Sequence, residues 1–133
     1  MIILRPDRVT FAGVNWNGVE RLAIDRLGTR VVRGWSEDGP HATFVDVPEQ
    51  TVRVRVALAA DRTMLNSPRP GDLGQLRVEL AGGGDEGRRL VRIDAVVESV
   101  THDIAGSRAV RTVTLTAVSD EGDDDPVVVT DAS

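Results

Sequence analysis

The sequence predicts a mainly β protein, an antiparallel barrel or sandwich with one short helix. Three observations carry that expectation. Apolar and polar residues alternate with period two over several long stretches, as in a strand with one buried face. Valine occurs 21 times against two Phe, two Trp and no Tyr, and valine, stiff at χ1, packs well on a pleated surface. Turn signals rich in Gly, Asn and Pro separate the stretches.

Residues 8–14, RVTFAGV, read as a short strand, and Asn17-Gly18 is a strong turn signal because both residues tolerate positive φ. Residues 19–26, VERLAIDR, alternate Leu22 and Ile24 against charged neighbours, so 8–14 and 19–26 make a first hairpin. Gly28 breaks the chain, and 29–35, TRVVRGW, reads as another short strand. A loop at 36–41 turns on Asp38-Gly39-Pro40, residues 42–47 resume an extended pattern, and Pro48-Glu49 punctuates it.

The cleanest alternation is TVRVRVALA at 51–59. Val52, Val54, Val56 and Leu58 share one face; Thr51, Arg53, Arg55 and Ala57 share the other. Residues 60–70 do not alternate. A short helix from Asp61 to Leu65 is expected there, with Asp61 as N-cap and Pro68 and Pro70 ending it. Leu76, Val78 and Leu80 then oppose Gln75, Arg77 and Glu79. Gly82–Gly87 is a hairpin connection. In 90–104, Val91, Ile93, Ala95 and Val97 oppose Arg92, Asp94 and Glu98, while Val96 and Val100 on the polar side predict a bulge or a second buried contact. Gly106-Ser107 turns into 108–118, where Val113, Leu115 and Ala117 oppose Thr112, Thr114 and Thr116. Four long amphipathic strands result, at 50–59, 73–81, 89–103 and 108–119, and the hairpin turns between the last three require antiparallel order.

The chain has 133 residues, enough for one core. Residues 1–120 are expected to form a single β-rich domain and 121–133 an acidic C-terminal arm or tail. No run of 18 apolar residues spans a membrane, so no membrane anchor is expected. The opening MIILRPDRV lacks a basic n-region and a cleavage site, which predicts synthesis in the cytoplasm. The sequence contains no cysteine, which removes disulfides, thiolate metal sites and cysteine nucleophiles. All 16 basic residues are arginine, whose planar fork suits fixed ion pairs at interfaces. The net charge of −5 is the wrong sign for gripping phosphates.

The motifs point away from catalysis, cofactors and metals. His41 and His102 are the only histidines, and no GxSxG, HExxH or paired-His spacing accompanies them; they read as surface or capping residues. Gly82–Gly87 is no phosphate loop, since the sequence holds no lysine and a strand follows. The acidic run Asp120–Asp125 fails the alternation and distal Glu of a calcium loop and reads as solvated. Trp16 and Trp35 are core or interface anchors. Arg53, Arg55, Arg77 and Arg92 lack the aromatic platforms of a single-strand binder, which leaves inter-strand or inter-subunit ion pairs as their reading. The sequence is therefore expected to be non-enzymatic.

A short hairpin at the start, long amphipathic strands around an irregular segment with the turn Ser-Pro-Arg-Pro-Gly-Asp (67–72), and the stretch GWSEDGPHATFVDVPEQTVRVRV (34–56) resemble the tail tube proteins of contractile-tailed bacteriophages. The resemblance covers most of residues 5–120 and is one of architecture. It implies a virion protein that self-assembles into stacked hexameric rings, each subunit giving four strands to one multi-subunit barrel around a hollow conduit for the genome. DNA would pass without specific binding. Sheath, tape-measure and baseplate proteins would be the further partners. The polar row Arg53, Arg55, Arg77, Glu79, Arg92, Asp94 and Glu98 would face the lumen or neighbouring strands, within a net acidic bore. The loop with Ser36, Glu37, Asp38 and His41 would reach the next ring. A tube initiator or baseplate hub ring, and a monomeric β-sandwich that binds protein, are the alternatives.

Overall fold

The computed structural model describes residues 2–4, 6–59, 68–80, 87–105 and 108–131. These form one antiparallel sheet of nine strands, and no helix occurs among them. The strands are β1 (Ile2–Leu4), β2 (Arg8–Phe11), β3 (Val14–Asn15), β4 (Val19–Trp35), β5 (Ala42–Ala59), β6 (Leu73–Leu80), β7 (Arg89–Ala105), β8 (Arg108–Ala117) and β9 (Val127–Asp131). The helix expected at Asp61–Leu65 lies outside the described residues, as do Gly82–Glu86 and the Gly106-Ser107 turn.

The sheet runs β1-β4-β5-β8-β7-β6-β2-β3, with β9 paired to β7 beyond the end of β8. β1 and β2 stand near opposite ends of that order, yet only residues 5–7 join them. Four backbone steps reach at most about 14 Å, so the sheet must roll until its two lips lie close. The chain crosses the gap again between Asn15 and Val19. There the Trp16 amide donates to Val9 O at 2.8 Å, and the Ala59 amide donates to Gly18 O at 2.9 Å. The ladder itself stays open, because β1 and β3 do not pair with each other.

Rolling puts one face of every long strand into a single core. Val52, Val54, Val56 and Leu58 are buried, as are Leu76, Val78, Val91, Ile93, Ala95, Val97, Val113 and Leu115. These are the inward rows that the alternation predicts. Each buried Val, Leu or Ile contributes about 1.5–3 kcal/mol. Phe11 and Trp16 close the seam between the lips, with ring centroids 5.3 Å apart. The expected bulge is present. Val97 pairs with Leu115 but Ser99 with Thr114, so Glu98 is the extra residue and Val100, opposite Val113, turns back against the core.

Three local expectations need correction. Residues 8–14 and 19–26 do not form a hairpin. β2 folds back on β3 through Ala12-Gly13, both with positive φ (51° and 82°), as a two-residue hairpin turn of the primed type requires. β2 also pairs with β6, while β4 pairs with β1 and β5; the Asn17-Gly18 turn instead links the two lips. Second, Gly28 does not break the chain. β4 runs through it with a register shift, and a Cβ there would meet Val47 Cγ1 at 2.7 Å; the glycine allows β5 to approach closely. Third, Pro48 does not divide β5. The pairing jumps from Glu49 to Asp46, and a residue without an N–H fits such a bulge at no cost to the ladder.

The C-terminal segment is part of the sheet. Val127–Ile93 to Asp131–Arg89 pair antiparallel, so the residues read as an arm or tail contribute β9.

Candidate assembly surfaces

Two features leave the rolled sheet unfinished. The first is an arm. Past the end of β1, β4 and β5 continue as a two-stranded ribbon from Gly28 to Gln50. Seven steps from Gly28 to Trp35, at about 3.3 Å each, give a length of about 23 Å. β8 pairs with β5 only from Arg53 onward and β1 with β4 only over Leu22–Ile24, so both outer edges of the ribbon present unpaired backbone among the described residues. Its two faces are exposed as well. Trp35 is 58% exposed, Phe44 56% and Val45 59%, with Val31 and Val32 beside them. Adjacent pairs such as Val31-Val32 and Phe44-Val45 place apolar groups on both sides of a pleated ribbon. Ser36, Glu37, Asp38 and His41 form the exposed tip, where Ser36 Oγ accepts from the Asp38 amide at 3.4 Å.

The second feature is the polar outer face. Arg53 and Arg55 on β5, Arg77 and Glu79 on β6, and Arg92 and Asp94 on β7 alternate away from the buried rows, and Glu98 sits in the β7 bulge. They fall into two groups. Around β8, Arg53 Nε lies 3.4 Å from Glu98 Oε2, Thr116 Oγ1 donates to the same oxygen at 3.1 Å, and Arg55 lies 3.9 Å from Asp25. Thr112, Thr114 and Thr116 run between these pairs. On β6 and β7, Arg77 stands directly opposite Arg92, while Glu79 faces Arg88 at 3.8 Å. All these ion pairs are at least partly open to solvent, and each contributes no more than about 1 kcal/mol.

Arg8, Arg21, Arg53, Arg55, Arg77 and Arg92 share this face with Asp25, Glu79, Asp94, Glu98 and Asp103. Basic and acidic side chains are therefore mixed on this face. The chain's excess of carboxylate lies elsewhere, above all in the exposed loop of Asp120, Glu121, Asp123, Asp124 and Asp125. That loop is clasped to the base of the arm. Arg26 Nη1 donates to Asp125 Oδ1 at 2.9 Å, and the Val127 amide donates to the same oxygen at 3.1 Å. The hydrogen bond from Arg26, followed by that from Val127, outweighs desolvation and holds the Asp125 carboxyl below its ordinary range. A cleft of about 440 Å³ opens beside the clasp, between Arg26, Gln50, Val52 and the loop.

Of the two tryptophans, Trp16 is a core residue at 4% exposure and Trp35 is a surface residue of the arm. His41 and His102 are both exposed. The sequence reading missed the apolar flanks of the arm and the opposed arginines. The former were visible as consecutive apolar residues that alternation cannot bury on one side; the latter depend on the β6–β7 register. No family model matches the chain, and no curated protein matches its sequence.

Proposed function

We propose that the chain is a structural subunit that completes its sheet with identical copies, as a tail tube protein does, and that rings of it stack into a hollow tube for genome passage in a phage virion. The arm carries this reading. A two-stranded ribbon is marginal in water, and one with two open edges and apolar groups on both faces invites pairing with another chain. Heterologous contacts around a closed rotation make a ring, and repeated axial contacts make a tube. The open lips of the rolled sheet support the same reading, since closure with neighbours removes edges that a lone chain leaves bare.

In such a ring the threonine row with its flanking ion pairs supplies a hydrated lining, with little free charge to hold a passing phosphodiester, and the arm reaches the adjacent ring. Electron microscopy of negatively stained protein, with sedimentation velocity over a range of concentrations, tests the proposal. Rings or tubes are expected. A strictly monomeric species at the highest concentration, with the arm ordered in solution, overturns it.

A further inference from the structure

Among the described residues nothing explains the opposed pair Arg77 and Arg92. Directly facing residues of an antiparallel pair stand about 4.5–5.5 Å apart at Cα, and like charges there destabilise the sheet. Neither guanidinium makes a salt bridge among the described residues, and Arg92 Nε is buried without a hydrogen-bond partner. Glu79 and Asp94, one step away on the same face, bond to neither. A buried cationic donor lacking an acceptor is costly, and an anion laid across the two forks would satisfy it.

We infer that Arg77 and Arg92 receive the acidic loop of a second copy, through Asp123 and Asp124. Charge complementarity selects this occupant. The loop is the most acidic exposed segment described, and Asp123 and Asp124 make no ion pair among the described residues. Within its own chain the loop is clasped elsewhere. Its clasp partner Arg26 takes the core-side position opposite Val52, whereas Arg92 points to the outer face. Yet the two lie at one level along the strands, because the loop leads into β9, where Val128 pairs with Arg92. A rotation about an axis along the strands therefore brings the loop of one copy level with the arginines of the next, which is the contact of a ring. A nucleic-acid backbone is the other anion of the right chemistry. The face offers it no aromatic platform, and the chain's net charge opposes it.

The inference rests on the self-assembly proposed above, and the test separates the two. Arg77→Glu/Arg92→Glu and Asp123→Arg/Asp124→Arg are compared alone and combined in one chain, with assembly followed by sedimentation velocity. Thermal melts confirm folding, and Arg77→Gln/Arg92→Gln provides a neutral version. Each charge reversal alone is expected to raise the concentration needed for assembly at least about tenfold, and the combined variant to restore it, because like charges across an interface repel and swapped charges attract. If the wild type assembles and Arg77→Glu/Arg92→Glu assembles equally well, this inference fails and the tube reading stands. Loss of assembly without rescue by the combined variant also overturns it. So does retention of assembly with loss of binding to a labelled oligonucleotide, which would put nucleic acid on the pair. A wild type that never assembles overturns both.

Discussion

Replacing Arg77 by Glu should make the subunit more stable. The substitution turns the Arg77–Arg92 opposition into an ion pair across β6 and β7. Two unit charges about 6 Å apart interact by about 0.7 kcal/mol at the dielectric of water and by more near a protein surface. The change removes one such repulsion and adds one such attraction, offset in part by the more distant Glu79 and Asp94 on the same face. Arg77 is exposed and Arg92 half-buried, so solvent screening and side-chain entropy reduce the net gain to about 0.5–1 kcal/mol. For a domain of this size that raises the melting temperature by about 2–4 °C. The assay is a thermal melt of dilute, unassembled protein at low salt, repeated at about 1 M salt, where the Debye length of about 3 Å should erase most of the gain. A neutral Arg77→Gln should show roughly half the effect. No rise at low salt, or a rise that persists undiminished in high salt, would refute the electrostatic argument.

The remaining predictions address the core, the arm and the clasp. Val54→Asp buries a carboxylate between Ile24 and Leu115 at a fully enclosed position, and should cost several kcal/mol of a total of about 5–15; a cooperative native-like melt from this variant would contradict the assigned strand face. Trp35→Ser with Phe44→Ser should leave the monomer's stability within about 0.5 kcal/mol, because both side chains are exposed, while assembly seen by sedimentation falls sharply; a large loss of monomer stability would show that the arm packs on its own chain. The Asp125 carboxyl is lowered in the folded state, first by Arg26, so its contribution is present above the unfolded carboxylate pKa and disappears as pH falls through the folded one. Wild type and Asp125→Asn should therefore differ in melting temperature at neutral pH and converge as the pH falls through the lowered folded-state pKa of Asp125, and a difference independent of pH would assign the effect to something other than that charge.

Which residues face the core was legible in the sequence, because a strand's side chains alternate whatever its partner is. Val52 to Leu58, Leu76 and Val78, and Val91 to Val97 needed no knowledge of the topology, and even the parity break at Glu98 showed as Val96 and Val100 on the wrong side. Partnership was not legible, because alternation is silent about it. Asn17-Gly18 has the chemistry of a hairpin turn, yet the same positive φ serves to carry the chain from one lip of the rolled sheet to the other, and nothing local distinguishes the two uses. Gly28 and Pro48 look like punctuation because glycine and proline weaken a regular strand; in this chain they sit at register shifts, where Val47 crowds the glycine and the missing N–H of the proline is not wanted. The opposition of Arg77 to Arg92 follows only once β6 and β7 are in register. The arm presents the same problem one level higher. Its residues alternate poorly because a two-stranded ribbon exposed on both faces has no single buried side to impose the period. Weak alternation in an extended, apolar, β-branched segment thus marks a strand without a core face of its own, and in this protein it falls on residues 29–47, the segment on which the proposed assembly rests.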